Sequence, residues 1–372
     1  MGSDWLCQRH RFDPACPVSI TGRDPVVDLS RIAFLLERAH EATYRVRAFR
    51  NAAAAMATLP TGQVRARSEA GTLTELPGVG EKIARSVAES LAGEVPAYLQ
   101  RLETAGKLPV ARGGERIRTA LQGDCHTHST WSDGGSPIDE MARAARDLGH
   151  HYIALTDHSP RLTVANGLSP DRLRQQLNVV KELNRQLAPF RILTGIEVDI
   201  LDDGSLDQEP DLLAELDLVV ASVHSKLRMP AAEMTPRMVQ AIANPHVDVL
   251  GHCTGRNVTS GGQRGRTRPE SEFDAELVFT ACSQFGVAVE VNCRPERLDP
   301  PRRLLRMALD AGCLVTIDTD AHAPGQLDWQ PYGCARAEEC QVPIDHIVNT
   351  WPAERLLTWT ADHSRGGPTD RQ

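Results

Sequence analysis

With 372 residues the chain exceeds one average domain, leaving room for a large catalytic domain of roughly 240 residues and a smaller module. Its 41% apolar and 24% charged residues are ordinary for a globular protein. No stretch approaches the roughly 18 apolar residues of a membrane span, and Met1-Gly2-Ser3-Asp4-Trp5 lacks a secretory signature, so a soluble, cytoplasmic protein with no membrane partner is expected. Nine scattered cysteines without a Cys-x-x-Cys pair argue against a disulfide framework or a zinc ribbon; most are expected as buried thiols. The formal charge of −8 argues against a chain coated in positive charge, yet it is unevenly spread. Val26 to Lys107 carries a net +2 and the remainder −10, the residue of a carboxylate site whose bound cations do not enter a formal count.

In chain order, residues 1–25 mix Pro, Cys, Asp and Arg without period and read as an irregular arm with no assigned function. Residues 26–105 read as a small all-α domain. Leu29, Ile32, Ala33, Leu35 and Leu36 recur at helix spacing, and Tyr44 to Met56 continues through an alanine-rich run. Leu73 to Ala84 then reads helix, Gly-x-Gly hairpin, helix. Gly78 and Gly80 permit the tight turn, and the amides opening the second helix form a site for one phosphate. Such a hairpin grips a nucleic-acid backbone without reading bases, so the expected partner is DNA, bound without sequence preference. A plain glycine-containing helical corner is the competing reading.

A linker, 106–122, leads to a domain over 123–360 in which short apolar runs alternate with helical stretches, the pattern of a parallel sheet. Seven strands are predicted: Gly123 to His126, Tyr152 to Thr156, Arg191 to Val198, Leu218 to Val223, Val247 to Gly251, Val287 to Val291 and Leu314 to Ile317. The fold class expected is therefore α/β, a distorted seven-stranded (β/α)7 barrel preceded by a helix-hairpin-helix domain. Gly261 to Arg268 reads equally as a loop near phosphate or a solvated linker, and residues 361–372 as a disordered tail.

The residues at the ends of the strands carry the chemistry. The first strand gives His126-x-His128 and then Asp133; the second, His158; the third contains Glu197; the fourth and fifth give His224 and His252; the seventh gives Asp320-x-His322. Active sites of parallel barrels lie at the C-terminal ends of the strands, so these residues converge on one rim, with six of the thirteen histidines among them. Residues two apart on extended chain face the same way, so His126 with His128, and Asp320 with His322, can chelate one ion. A lone histidine there would be an ordinary core or surface residue. Nine candidate ligands are too many for one ion and suit three divalent ions, with Glu197 as the natural bridge. Mixed imidazole and carboxylate donors favour zinc, manganese or iron over magnesium or calcium.

This ordered set of motifs resembles the PHP (polymerase and histidinol phosphatase) superfamily across Gly123 to Trp359, most closely the PHP domain of bacterial family X DNA polymerases. Ser222-Val223-His224-Ser225-Lys226, Gly251-His252-Cys253-Thr254-Gly255-Arg256, Asp318-Thr319-Asp320-Ala321-His322 and Asn349-Thr350-Trp351-Pro352 carry that likeness. The resemblance implies one ion on His126, His128, Glu197 and Asp320, a second on Glu197, His224 and His252, and a third on Asp133, His158 and His322. It also points to Lys226, Arg256 and Arg161 as candidates for the non-bridging phosphate oxygens, with Glu197, His128, Asp320, Arg256 and Lys226 as the catalytic set.

Residues 44–53 resemble the same family's helix that contacts a 5′-phosphate, which implies Arg45, Arg50 and Lys82 as further contacts. Two departures stand out. Ser86 occupies the position of the family's Schiff-base lysine, and a hydroxyl cannot form an imine, which argues against lyase activity. The stretch between Ala105 and Gln122 is also far too short for the polymerase palm and fingers.

The function expected is a metal-dependent phosphoesterase on nucleic acid, a 3′-5′ exonuclease or DNA 3′-end processing phosphodiesterase in DNA repair. Clustered cations would lower the pKa of bound water from 15.7 toward roughly 7 and supply hydroxide for in-line attack at phosphorus. The alternatives are a small-molecule phosphomonoesterase such as histidinol-phosphatase, which the same ligands would serve, and a non-catalytic DNA-end binding protein. The second is disfavoured because structural metal sites are normally closed four-ligand cages.

Overall fold

The computed structural model describes residues 22–60, 62–107, 110–258 and 267–363. The expected arm up to residue 21, residues 261–266 of the glycine- and arginine-rich loop, and the tail beyond 363 lie outside them. Pro25 opens the first helix, and residues 361–363 belong to the last one, Ala353–His363.

Two compact units emerge, one running to Ile32 and from Arg47 to Glu103, the other comprising Ala33–Val46 and the chain from Thr104. The division falls inside the helix Pro25–Arg38. That helix starts as its sequence dictates: a proline whose missing N–H is no loss in the first turn, Asp28 near the positive end and Arg38 near the negative one. In the first unit, Leu29, Ile32, Val87 and Leu99 are buried, and buried Asp28 accepts hydrogen bonds from Ser90 Oγ at 2.7 Å and Arg23 at 2.7 Å. Phe49 stacks on Tyr98 with centroids 5.6 Å apart. Glu81–Leu91 forms the second helix of the predicted hairpin.

The second unit holds seven parallel strands in sequential order: β1 Gly123–Thr127, β2 Tyr152–Leu155, β3 Arg191–Asp199, β4 Leu218–Ser222, β5 Val249–Leu250, β6 Ala288–Asn292 and β7 Val315–Asp318. Each lies at the predicted place to within two residues at either end. Their apolar runs are continuous because both faces are covered, one by the barrel interior and one by the surrounding helices. β1 and β7 come together through the parallel bridge Thr127 to Ala321, and His128 N donates to Ala321 O at 2.8 Å, so the barrel is nearly closed.

Elsewhere along that seam side chains stand in for a ladder. Asn349 Nδ2 donates to Gly123 O at 3.1 Å and Ile317 O at 2.8 Å, while its Oδ1 accepts from Ile317 N at 3.1 Å. Asp318 Oδ1 accepts from Cys125 N at 2.8 Å, and Asp124 Oδ2 accepts from Thr319 Oγ1 at 2.6 Å. Burial raises both carboxyls, Asp124 to about 7 and Asp318 well above the usual range, so the seam relies on hydrogen bonds more than on charge. The seven cysteines among the described residues are buried and unpaired. No helix among the described residues is long and apolar enough to cross a membrane.

Candidate metal centre

The nine residues expected on the rim meet at one place. Glu197, in β3, is buried at its centre and divides its two oxygens between two sets of imidazoles. Oε2 lies 2.8 Å from His158 Nδ1, 3.4 Å from His126 Nε2 and 3.7 Å from His128 Nε2. Oε1 lies 2.8 Å from His252 Nε2 and 3.2 Å from His224 Nε2. Asp320 Oδ1 stands 3.3 Å from His128 Nε2, and Asp133 Oδ1 stands 3.5 Å from His158 Nε2 and 3.3 Å from His322 Nε2.

Three groups have ligand atoms mutually within 4.8 Å: His126, His128 and Asp320; His158, Glu197 and His224; and His128, Asp133, His158 and His322. The groups share members, so His128 and His158 lie between positions that the resemblance kept separate. Asp320 adopts φ 52°, a left-handed conformation uncommon for a residue with a side chain, and worth retaining where it aims a functional carboxylate.

Whether these residues suit cations is tested by their unsatisfied atoms. Among the described residues no hydrogen bond reaches buried His126 Nε2, either ring nitrogen of His128, or Glu197 Oε2. Each such buried group costs about 1–3 kcal/mol, and divalent ions among them would satisfy several at once. Neighbouring groups also orient the rings for that purpose. Glu290 Oε1 lies 2.6 Å from His126 Nδ1 and takes its N–H, leaving Nε2 directed at Glu197. His322 Nδ1 lies 2.8 Å from Asp320 O, with Nε2 toward Asp133. Asp199 faces His224 Nδ1 at 3.4 Å and accepts from its backbone N at 3.1 Å. The residues therefore fit metal ions.

Electrostatics agree. Burial pushes the Glu197 carboxyl up, but His224, His126 and His158 outweigh it and hold the group well below the carboxylate range. Burial likewise opposes ionisation of Asp320 and Asp133; Arg294 and His128 overcome it for the first, His322 for the second. Burial, His322 and His158 lower His128 well below the usual imidazole value, and burial with Arg297 lowers His252. Against burial, Glu290 and Glu197 raise His126, and Glu197 and Asp199 raise His224 to about 9. The carboxylates are ionised, as ligands must be, and the last two histidines release protons when they ligate.

The candidate phosphate-binding cations are placed differently. Lys226 Nζ is exposed and paired with Asp202 Oδ2 at 2.6 Å. Arg256 spends its guanidinium on Arg297 O at 3.0 Å, on Leu298 O and on Glu270 at 3.5 Å, bracing a loop. Arg161 is exposed beside the loop of Asp207, whose carboxylate accepts its backbone N at 2.6 Å. Two arginines outside the sequence-based expectations stand at the centre instead. Arg294 Nη1 lies 3.5 Å from Asp320 Oδ1 and 3.1 Å from His322 Nδ1, and Arg297 Nε lies 3.5 Å from Asp320 Oδ2. Glu290, Asn292, whose Nδ2 donates to Asp320 Oδ2 at 3.1 Å, Arg294 and Arg297 all belong to β6 or its C-terminal end, the one strand to which no site residue was assigned. The rim rule applied there would have found them.

In the helical unit, Gly78 adopts φ 78° and Gly80 caps the helix Glu81–Leu91 at φ −88° without a side-chain cap. The turn thus uses the freedom that only Gly78 supplies. Lys82, in the first turn of that helix, places Nζ 4.7 Å from the Tyr98 ring centroid, and Arg50 is half-buried in the helix Thr43–Ala57. Arg45 is grouped with the barrel unit and pairs with Glu41 at 2.9 Å. Ser86 is buried and donates to Lys82 O at 3.0 Å.

Comparison with known proteins matches residues 24–95 to a helix-hairpin-helix domain and residues 124–265 to the PHP domain. A DNA polymerase/3′-5′ exonuclease PolX of Bacillus subtilis (strain 168) is 41% identical over 229 residues, covering 62% of this chain and 39% of that protein. The chain therefore spans well under half the length of that relative. A protein named "Probable phosphatase" from Thermoanaerobacter sp. (strain X514) is 30% identical over 210 residues, 54% of this chain and 78% of that one. A solved structure, histidinol phosphate phosphatase from Lactococcus lactis subsp. lactis Il1403 with zinc, L-histidinol and phosphate, aligns at 17% identity with a TM-score of 0.41, over 59% of this chain and 94% of that one, a likeness too slight to argue from.

Proposed function

We propose that this chain, which belongs to the PHP family of metal-dependent phosphoesterases, acts on nucleic acid as a 3′-5′ exonuclease or DNA 3′-end processing phosphodiesterase in repair. The observation that carries this reading is the glycine hairpin, with Gly78 in the left-handed region and Gly80 opening a helix, in the same chain as the rim of histidines and carboxylates. A small-molecule phosphatase has no use for a phosphate-backbone grip. The helix-hairpin-helix match and the Bacillus relative support the same reading. Residues 26–105 would hold DNA by its backbone and residues 123–360 would perform the hydrolysis.

Three divalent ions, zinc, manganese or iron by donor type, would be held by His126, His128, Glu197 and Asp320, by Glu197, His224 and His252, and by Asp133, His158 and His322. Bound there, such ions supply Lewis acidity and generate a nucleophile from water at neutral pH. Glu197, within reach of both sets of imidazoles, would serve the first two positions. Arg294 and Arg297, which lie beside the ligand Asp320, receive the non-bridging phosphate oxygens, whereas Arg256 braces a loop and Lys226 pairs with Asp202. Glu290 and Asp199 hold His126 and His224 in the orientation that presents Nε2.

The second reading, a phosphomonoesterase of small substrates such as histidinol phosphate, is favoured by the relatives named probable phosphatases. One experiment separates the two: manganese with a 5′-labelled oligonucleotide, single-stranded and as a gapped duplex, beside a His128→Ala control. Shortening from the 3′ end that the variant abolishes supports the nuclease. Intact DNA with rapid phosphate release from histidinol phosphate overturns it.

A further inference from the structure

We propose that Glu37 to His40 is a positioning clamp for the loop that carries Asp320 and His322, and that it sets how tightly the metal position of Asp133, His158 and His322 holds its ion. The proposal rests on the metal-dependent reading above. By periodicity this segment is an ordinary part of the first helical domain, but it belongs to the barrel unit and makes directional contacts to the turn that follows Asp320 and His322.

After β7 the chain passes Asp320 and His322 and enters the turn Pro324–Trp329. Three consecutive contacts fasten that turn. Buried Glu37 accepts a hydrogen bond from Gly325 N at 2.9 Å through Oε2. Arg38 Nε pairs with Asp328 Oδ2 at 2.5 Å, and Arg38 O accepts from Nε1 of buried Trp329 at 3.0 Å. The approach is close enough that a Cβ at Gly325 would lie 2.1 Å from Phe34 O, so only glycine fits. A helix end that merely packed would bury apolar side chains. This one buries a carboxylate, which is costly unless directional bonds satisfy it, and directional bonds fix a position more sharply than they stabilise a fold.

The turn passes this constraint to the ligands. Gln326 Oε1 accepts from His322 N at 2.7 Å, and His322 O accepts from Gly135 N at 2.6 Å, two residues beyond Asp133. His322 is thereby held from the clamped turn on one side and tied to the Asp133 loop on the other. A second arm runs through His40 Nε2, 3.4 Å from Glu296 Oε2; Glu296 Oε1 accepts from Arg294 Nε at 2.9 Å, and Arg294 Nη1 donates to Asp320 O at 3.2 Å. Both arms end on the same Asp320-x-His322 motif.

The test titrates cobalt(II) into chelator-stripped full-length protein and its Glu37→Ala and Glu37→Gln variants, reading visible absorption and dialysis stoichiometry, with thermal midpoints in EDTA alongside. In Glu37→Ala one cobalt equivalent, the same one that His322→Ala removes, loses about tenfold in affinity while the others keep theirs. Glu37→Gln restores it, because the amide oxygen still accepts from Gly325. With bis-p-nitrophenyl phosphate, kcat falls in Glu37→Ala and KM is unchanged. Wild-type affinities in Glu37→Ala, a Gln variant as defective as Ala, or loss of all equivalents together with a lowered midpoint in EDTA would each overturn the clamp. If Glu37→Ala does not fold, Asp328→Ala, which removes the acceptor of Arg38 Nε on the same turn, reads the same affinity. Wild-type protein that takes up no cobalt overturns the metal reading itself, an outcome distinct from failure of the clamp alone.

Discussion

At the barrel rim the proposed phosphate chemistry belongs to side chains from His126 to His322, which meet only because seven strands bring their ends together. At the hairpin it belongs to backbone amides of a few consecutive residues around Gly78 and Gly80. The first site depends on chemical identity at each position, since a carboxylate exchanged for its amide loses charge while keeping shape. The second depends on conformation and is indifferent to most side chains. Two regions of one chain that address the same group therefore fail under different substitutions, and that contrast can be tested in order of expected effect.

Glu197→Gln removes the charge that five imidazoles surround, and phosphoester hydrolysis falls by roughly a thousandfold or more, with metal content reduced, while DNA binding is retained. Hydrolysis rates, metal analysis and a filter-binding assay check it; hydrolysis persisting near the wild-type rate breaks the assignment of the rim. Arg297→Ala lowers kcat/KM by about tenfold to a hundredfold, the size of a charge-assisted hydrogen bond of about 1.5–3 kcal/mol, with unchanged metal content. Arg256→Ala lowers the thermal midpoint instead, since its donors brace the Arg297–Leu298 carbonyls. Equal kinetic loss in both variants would erase the distinction drawn between them.

Gly78→Val forces a β-branched residue to φ 78° at a cost of about 1–2 kcal/mol, so DNA affinity drops roughly tenfold while bis-p-nitrophenyl phosphate is hydrolysed as before. Parallel loss of both activities would mean that the two regions do not act separately.

The last effect touches stability and not activity at neutral pH: it concerns His150, buried after the helix Ile138–Asp147, with neither ring nitrogen bonded among the described residues. Burial, then Arg118 and His151, depress its pKa from 6.5 to about 3. The unfolded chain binds this proton below pH 6.5 and the folded one does not until about pH 3, so His150 leaves stability untouched above pH 6.5 and erodes it as pH falls through that window. The slope is up to about 1.4 kcal/mol per pH unit. His150→Leu flattens the fall of the thermal midpoint between pH 6.5 and 5, and an unchanged slope would assign the acid sensitivity to other groups.

Much of the barrel is legible in the sequence. Its seven apolar runs, the His126-x-His128 pair and the Asp320-x-His322 pair each announce themselves within a few residues, because strand burial and chelation on extended chain are local properties. Glu197 stands between two sets of histidines, His126, His128 and His158 at one oxygen and His224 and His252 at the other. What stayed hidden was relational. Glu290 reads as one more residue in a buried strand until His126 Nδ1 is found 2.6 Å away. Arg256 and Arg297 look alike in sequence, yet one guanidinium is consumed by carbonyls and the other lies beside Asp320. The sharing of His128 and His158 between ligand groups is likewise a matter of distances that no spacing encodes.

The amino-acid sequence by itself determined the seven-stranded parallel architecture, the hairpin and the residue types at the rim, since periodicity, glycine placement and ligand chemistry are set over short stretches of chain. Tertiary structure alone decided that Asn349 closes the seam beside β1, that β6 supplies the arginines at Asp320, and that Glu37 fastens the His322 turn. Each of those contacts joins residues far apart in the chain, where the energy of a hydrogen bond depends on a geometry fixed to tenths of an ångström, and only the packed fold sets that geometry.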